Sequence, residues 1–212
     1  MGNVTQSKLR EGLRTDGRCT NSDQEEMFKA LGEMDLLEPA PFIDLDIRSA
    51  TPLVKVEAEV TNACQIRCLH CFVDHASSYL PFSLLEKFAR EAREIGAISF
   101  TFNGGEALLH PSFLKMLEFV SAAGLRPRLF TNGLKVTPGL AREMRTLGLS
   151  RAIISLETFQ EFHEWLRGKD TWEPTLRGIE AFLAEGVEVM VNPVITPRNL
   201  HLMDEFTHFV ID

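Results

Sequence analysis

Residues 96–106 read GAISFTFNGGE. Gly96 is the residue type that closes a helix in a left-handed conformation. Residues 97–102 have the β-branched and aromatic content of a buried strand. Asn103-Gly104-Gly105-Glu106 then breaks the chain at the carboxyl end of that strand. The same unit, helix, glycine, strand and polar loop, recurs along the chain. Upstream, residues 53–60 alternate Val54, Val56, Ala58 and Val60 with Lys55, Glu57 and Glu59, a strand pattern. Residues 83–95 predict a helix with a Ser83–Glu86 capping box. Downstream, residues 111–123 predict a helix with Pro111 in its first turn and Gly124 at its end. Residues 128–131 are strand-like. Residues 138–147 predict a helix capped by Thr137 and closed by Gly148. Residues 152–156 form a further strand, 171–185 a helix closed by Gly186, 187–194 a fifth strand, and 199–209 a last helix. Five strands separated by helices imply parallel βαβ units, so the expected class is α/β, a partial (β/α) TIM-like barrel. In such folds ligands sit at the carboxyl ends of the strands.

The 212 residues suffice for one ordinary domain with an appendage. Apolar residues make up 44% and charged residues 25%, which excludes a mainly disordered chain. The formal charge of −8, from 22 basic and 30 acidic side chains, argues against a general nucleic-acid binder. The first residues contain no secretory apolar stretch, and no run approaches the roughly 20 apolar residues that span a bilayer. A cytoplasmic protein with no membrane partner is therefore expected.

Residues 1–50 differ from the rest. Residues 1–22 form a polar arm containing Cys19, read as a free thiol. An amphipathic helix is expected over residues 23–37, with Met27, Phe28, Leu31, Met34 and Leu37 on one face, ended by Pro39 and Pro41. Residues 51–212 form the core domain. The sheet is expected to lack its last strand, leaving an open edge that either a partner chain or the rest of a longer protein would cover.

The chemistry-bearing residues fall at strand ends. The first strand leads into Cys64-Gln-Ile-Arg-Cys68-Leu-His-Cys71. The second leads into Gly104-Gly105-Glu106, and the third into Thr131-Asn132-Gly133. Ser155 and Glu157 end the fourth, and Asn192 lies near the end of the fifth. Three cysteines within eight residues make a poor disulfide framework and a good metal or redox site. Thiolates favour iron–sulfur clusters or zinc. A 4Fe-4S cluster held by three cysteines leaves one iron open to chemistry. Structural zinc is the alternative, with His70 or His75 completing the ligands of a zinc-bound interaction module. The two glycines let backbone approach a ligand closely, and Glu106 offers a carboxylate to an ammonium group. Asn132 and Asn192 read equally well as strand-end hydrogen-bonding residues. His110 reads as a residue that opens a helix, and His163 as a surface loop histidine. Arg167 reads as a partner either for a cofactor carboxylate or for a local ion pair. Phe72 and His70 read as shields of the cysteine loop or as packing residues.

The Cys-x3-Cys-x2-Cys loop after the first strand, followed by Gly-Gly-Glu after the second, resembles the radical SAM superfamily. The stretch from Ser155 and Glu157 through His163 to Arg167 and Gly168 resembles its peptide-modifying branch, the SPASM-type maturases. So do Thr131-Asn132-Gly133 and the run from Asn192 to Asn199. The cysteine-rich extension of that branch is not expected here, since no cysteine follows Cys71 in the 212 residues. The resemblance implies that Cys64, Cys68 and Cys71 are the catalytic metal ligands of a 4Fe-4S cluster. It implies that Gly104, Gly105, Glu106, Asn132, Ser155, Glu157 and Asn192 bind S-adenosyl-L-methionine. Reductive cleavage of that cofactor would give a 5′-deoxyadenosyl radical that abstracts hydrogen from a peptide or small-molecule substrate. The electron would come from a reductant such as a flavodoxin or ferredoxin. An accessory cluster-binding relative without turnover is the second expectation.

Overall fold

A computed structural model describes residues 55–211. The expected arm and the helix over residues 23–37 lie outside them, as do Cys19 and the start of the first expected strand. Five strands carry the fold: β1 (Lys55–Thr61), β2 (Ser99–Gly104), β3 (Arg126–Thr131), β4 (Arg151–Ile154) and β5 (Glu188–Val191). Helix α1 (Phe82–Glu94) joins β1 to β2, and α2 (Phe113–Ala122) joins β2 to β3. Helix α3 (Pro138–Thr146) joins β3 to β4. Helices α4 (Gln160–Arg167) and α5 (Trp172–Ala184) join β4 to β5, and α6 (Met203–Ile211) follows. The strands pair in chain order, all parallel, as an open arc rather than a closed ring. This is the expected partial barrel.

Alternation along each strand separates two faces. Val56, Ala58, Val60, Phe100, Phe102, Leu129, Ala152 and Ile154 point to the helix layer and form one buried core. Leu85, Ala89 and Ala92 of α1, then Phe113, Met116, Leu117 and Val120 of α2, recur at helical spacing and close that core. A second cluster of Leu156, Trp172 and Phe206 seats α6 beyond β5. The opposite, concave face carries Lys55, Glu57, Glu59, Ser99, Thr101, Asn103, Arg128 and Arg151, the residues that alternate with the core set.

Gly96, Gly124, Gly148 and Gly186 all have positive φ, as expected of residues that end helices. Thr137 caps α3 by accepting from the Leu140 N–H. Three local expectations fail. The Ser83–Glu86 capping box is not formed, because Pro81, with φ −59°, starts α1 earlier and leaves Ser83 inside the helix. Pro111 precedes α2 rather than entering it, since residues 107–109 form a 3-10 turn and Ser112 is the N-cap. Helix α4 stands where a loop was expected, and its buried residues are His163, Leu166 and Arg167. Among the described residues no helix is long and apolar enough to cross a membrane.

Candidate active site

At the end of β1 the chain leaves the sheet as one loop, residues 62–78, that carries all three cysteines. Its base is stapled. Asn62 Oδ1 accepts from the N–H of Ser78 at 2.9 Å and from its hydroxyl at 2.6 Å. Thr61 donates its hydroxyl to the Ser78 carbonyl at 2.7 Å and bridges Tyr79 through the backbone. The loop is held from three further sides. Gly105 N–H donates to Thr61 O and Glu106 N–H to Ala63 O, both at 2.8 Å. Gln65 donates to Asn132 Oδ1 at 3.0 Å. Leu69 N–H donates to Leu166 O at the end of α4, at 2.8 Å.

The two glycines have a steric reason. A Cβ on Gly104 would sit 2.0 Å from Thr61 O, and one on Gly105 would sit 2.5 Å from Ala63 O. Gly104 also has φ +134°, which favours glycine. Their close approach is thus to the backbone of the cysteine loop as well as to any ligand.

A cleft of about 260 Å³ opens between this loop and the strand ends. Cys64, Cys68 and Cys71 all line it, as free thiols. Gly104, Gly105, Asn132, Ser155 and Asn192 line it too, together with Arg167. Burial raises the thiol pKa of Cys64 and of Cys68, and the neighbouring thiols add to the effect. Arg167 opposes the shift at Cys68, donating from Nη1 to its Sγ at 3.8 Å. Asn132 contacts Cys64 Sγ through Nδ2 at 3.9 Å. It also accepts from Leu134 N–H, so Asn132 is both a turn residue and a cleft residue.

Glu106 and Glu157 make their hydrogen bonds within the protein. Glu106 is 1% exposed and sits behind the cleft wall. Its carboxylate accepts from the Thr131 hydroxyl at 2.9 Å, Asn132 N–H at 2.9 Å and Leu108 N–H at 3.2 Å. Burial pushes its pKa up, and these hydrogen bonds pull it down. Glu157 is fully buried, paired to Arg167 through Nε at 2.7 Å and Nη2 at 2.6 Å, and accepting from Val194 N–H at 2.7 Å. Both acids fasten residues that face the cleft and do not face it themselves. A carboxylate is drawn to the nearest cluster of N–H and O–H donors, and here those donors lie inside the wall.

His163 is a buried residue, contrary to the surface loop expected of it. Its Nδ1 accepts from Glu157 N–H at 3.2 Å, and its ring meets Trp172 edge-on at 5.4 Å. Burial, with Arg167 nearby, lowers its pKa to about 4. His110 is likewise interior, with Nε2 on Leu80 O and Nδ1 accepting from Ser112 N–H. Phe72 is 88% exposed and lines the cleft. Sequence reasoning gave no role to Gln65, Asn62 and Ser78, whose partners are 16 to 67 positions away.

The donor set fits an iron–sulfur cluster. Three thiols line one cleft, while among the described residues no three His, Cys, Asp or Glu side chains are placed to hold a single metal ion. Structural zinc needs such a convergence. His75 also lines the cleft, and among the described residues its buried Nδ1 meets no hydrogen-bond partner.

The sequence profile of the Radical SAM superfamily matches residues 58–210. The AdoMet-dependent heme synthase of Methanosarcina barkeri is 31% identical over 148 residues, covering 67% of this chain and 42% of that protein. The mycofactocin maturase MftC of Mycobacterium tuberculosis is 26% identical over 153 residues, covering 70% and 39%. The chain thus spans about two fifths of the length of these curated relatives. Streptococcus suis SuiB, solved bound to the precursor peptide SuiA, superposes with a TM-score of 0.66 over 96% of this chain and 47% of its own, at 17% identity. That likeness concerns the fold. The family uses a 4Fe-4S cluster and S-adenosyl-L-methionine. With the profile covering most of its length, the chain belongs to the radical SAM superfamily.

Proposed function

We propose that the protein is a radical SAM enzyme acting on a peptide or protein substrate. The observation that carries this is the convergence of Cys64, Cys68 and Cys71 on one cleft with backbone from Gly105 and the guanidinium of Arg167. The three cysteines would hold a 4Fe-4S cluster. Gly104 and Gly105 present backbone to the cofactor's methionine end, Arg167 attracts its carboxylate, and Ser155, Asn132 and Asn192 offer polar side chains around it. Glu106 orients the strand-end loops through Thr131 and Asn132, and Glu157 aims Arg167. When bound, the cluster supplies the electron that cleaves S-adenosyl-L-methionine to methionine and a 5′-deoxyadenosyl radical, which takes a hydrogen atom from the substrate. The chain's own part is to bind, to orient and to keep water away. An external donor of the flavodoxin or ferredoxin type delivers the electron. Free thiols and such a cluster suit a reducing, cytoplasmic setting.

A peptide substrate is supported by the similarity to a maturase and by the fold shared with a peptide-bound enzyme. A small-molecule substrate is the second reading, favoured by the similarity to a heme synthase. Anaerobic reconstitution, iron analysis and assay of 5′-deoxyadenosine under reduction test the proposal. About four irons per chain with 5′-deoxyadenosine formed from added S-adenosyl-L-methionine is the expected result. Iron uptake without 5′-deoxyadenosine would make the protein an accessory relative. A colourless protein without iron would end the reading.

A further inference from the structure

The concave face of the sheet is polar towards the amino ends of the strands, and Phe130, Ile153 and Met190 make an apolar row between that end and the cysteine cleft. Register aligns Glu57, Thr101, Arg128, Arg151 and Glu188 in one row across all five strands. A barrel interior is ordinarily filled by branched apolar side chains. Here the row nearest the amino ends of the strands is arginine-rich. Arg126, Arg128 and Arg151 line a separate cavity of about 160 Å³ with Ser99, Ser150 and Glu188.

The cavity has unmet donors. Among the described residues the Nε atoms of Arg128 and Arg151 are buried and meet no hydrogen-bond partner, and the same holds for the Thr101 hydroxyl beside them in the row. Buried donors are normally satisfied, and leaving one unpaired is costly. Among the described residues one acid pairs with this set, Glu188, which engages Arg151 through Nη2. All three arginines act on Glu188 and hold its carboxyl below the usual range. Glu57 is occupied by Lys55 at 2.6 Å. Three guanidinium groups against one carboxylate leave a net positive cavity. The side of an arginine that presents Nε–H with an Nη–H is the fork that grips an oxyanion with two parallel bonds.

This cavity belongs to the same face as the cysteine cleft. Phe130 lines that cleft, and Arg128 lies two residues below it on β3. At the usual strand rise, Arg128 stands roughly 13 Å below Asn132. We infer that Arg126, Arg128 and Arg151 form an oxyanion site at the amino end of the sheet, which anchors a carboxylate or phosphate group of the substrate while its reacting carbon lies at the cysteine cleft. The substrate so defined is anionic, with its charge on the order of 10 Å from the carbon that reacts. As a statement about substrate it rests on the enzymatic reading; as a binding site it does not.

The test is a titration of the full-length, cluster-loaded protein, labelled with nitrogen-15, followed through its arginine Nε–H signals. Inorganic pyrophosphate is the phosphate probe and glutarate the carboxylate probe. Saturable movement of the Arg128 and Arg151 signals is expected with at least one of them, and the probe that binds tighter names the source of the charge. Arg128→Gln should weaken binding at least tenfold, and Arg128→Lys, which keeps charge and loses the fork, should weaken it as well. Arg142→Gln, on the outer surface of α3, should change nothing. No saturable shift with either probe, or unchanged affinity in Arg128→Gln, overturns the site. Anion binding in a protein that forms no 5′-deoxyadenosine keeps the site and removes the enzyme; 5′-deoxyadenosine without any anion response removes the site alone.

Discussion

Glu157 and Arg167 form an ion pair almost sealed from solvent, with side chains 0% and 9% exposed and 2.6 Å between Oε1 and Nη2. Arg167 faces Cys68 with its other amino group. The pair therefore ties the end of β4 to the cysteine loop. Breaking a buried pair from one side leaves the other charge stranded. Glu157→Ala should lower unfolding free energy by about 3–5 kcal/mol and weaken S-adenosyl-L-methionine binding, read by denaturant titration and by equilibrium dialysis. A variant with native stability and affinity would show that Arg167 is held by something else.

Gly105→Ala places a methyl group 2.5 Å from Ala63 O, at the root of the cysteine loop. Neither neighbour is a flexible side chain, so the loop must move. The expected variant keeps its far-ultraviolet dichroism and loses most of its iron after reconstitution. Full iron content would mean that the junction is more compliant than its spacing suggests.

Thr131→Val removes the hydroxyl that donates to Glu106 and accepts from Gly133 N–H at 3.1 Å. The buried carboxylate keeps its backbone donors and loses one partner. A loss of about 1–3 kcal/mol is expected, measured by urea unfolding. Thr131→Ser should recover most of it.

His163 predicts a pH dependence. The unfolded chain takes up a proton near the ordinary value of 6.5, and the folded chain resists it until about 4. The unfolded state thus binds more protons in that window, and stability falls as pH drops from about 6.5 towards 4, by up to about 1.4 kcal/mol per unit. Above this window the contribution is constant. Urea unfolding at pH 7 and pH 5 should show a smaller difference in His163→Gln than in the native sequence. Equal slopes would assign the acid sensitivity to other groups.

Cys68→Ala should abolish cluster assembly, seen as loss of the broad visible absorbance and of bound iron. Native iron content in the variant would remove Cys68 from the ligand set.

The five strands were legible because each carries its own local signal, an apolar alternation in β1 and an apolar run just after a helix-ending glycine in β2 to β5. Helix α4 was not, because the face it buries consists of His163, Leu166 and Arg167 rather than an apolar stripe. The position of the cysteine loop followed from the end of β1. The facing of Glu106 and Glu157 did not follow from sequence, because Thr131 and Arg167, 25 and 10 residues away, decide it. The arginine row was equally hidden. Arg128 and Arg151 become neighbours only through the β3–β4 register.

The staple between Asn62 and Ser78 has a consequence for how the protein matures. Zinc fingers need their ion in order to fold at all. Here the closed loop base and the contacts to Leu166 and Asn132 hold the cysteine-bearing loop against the sheet through protein hydrogen bonds. Weakening the staple, as in Asn62→Ala, is therefore expected to slow cluster insertion more than it lowers stability.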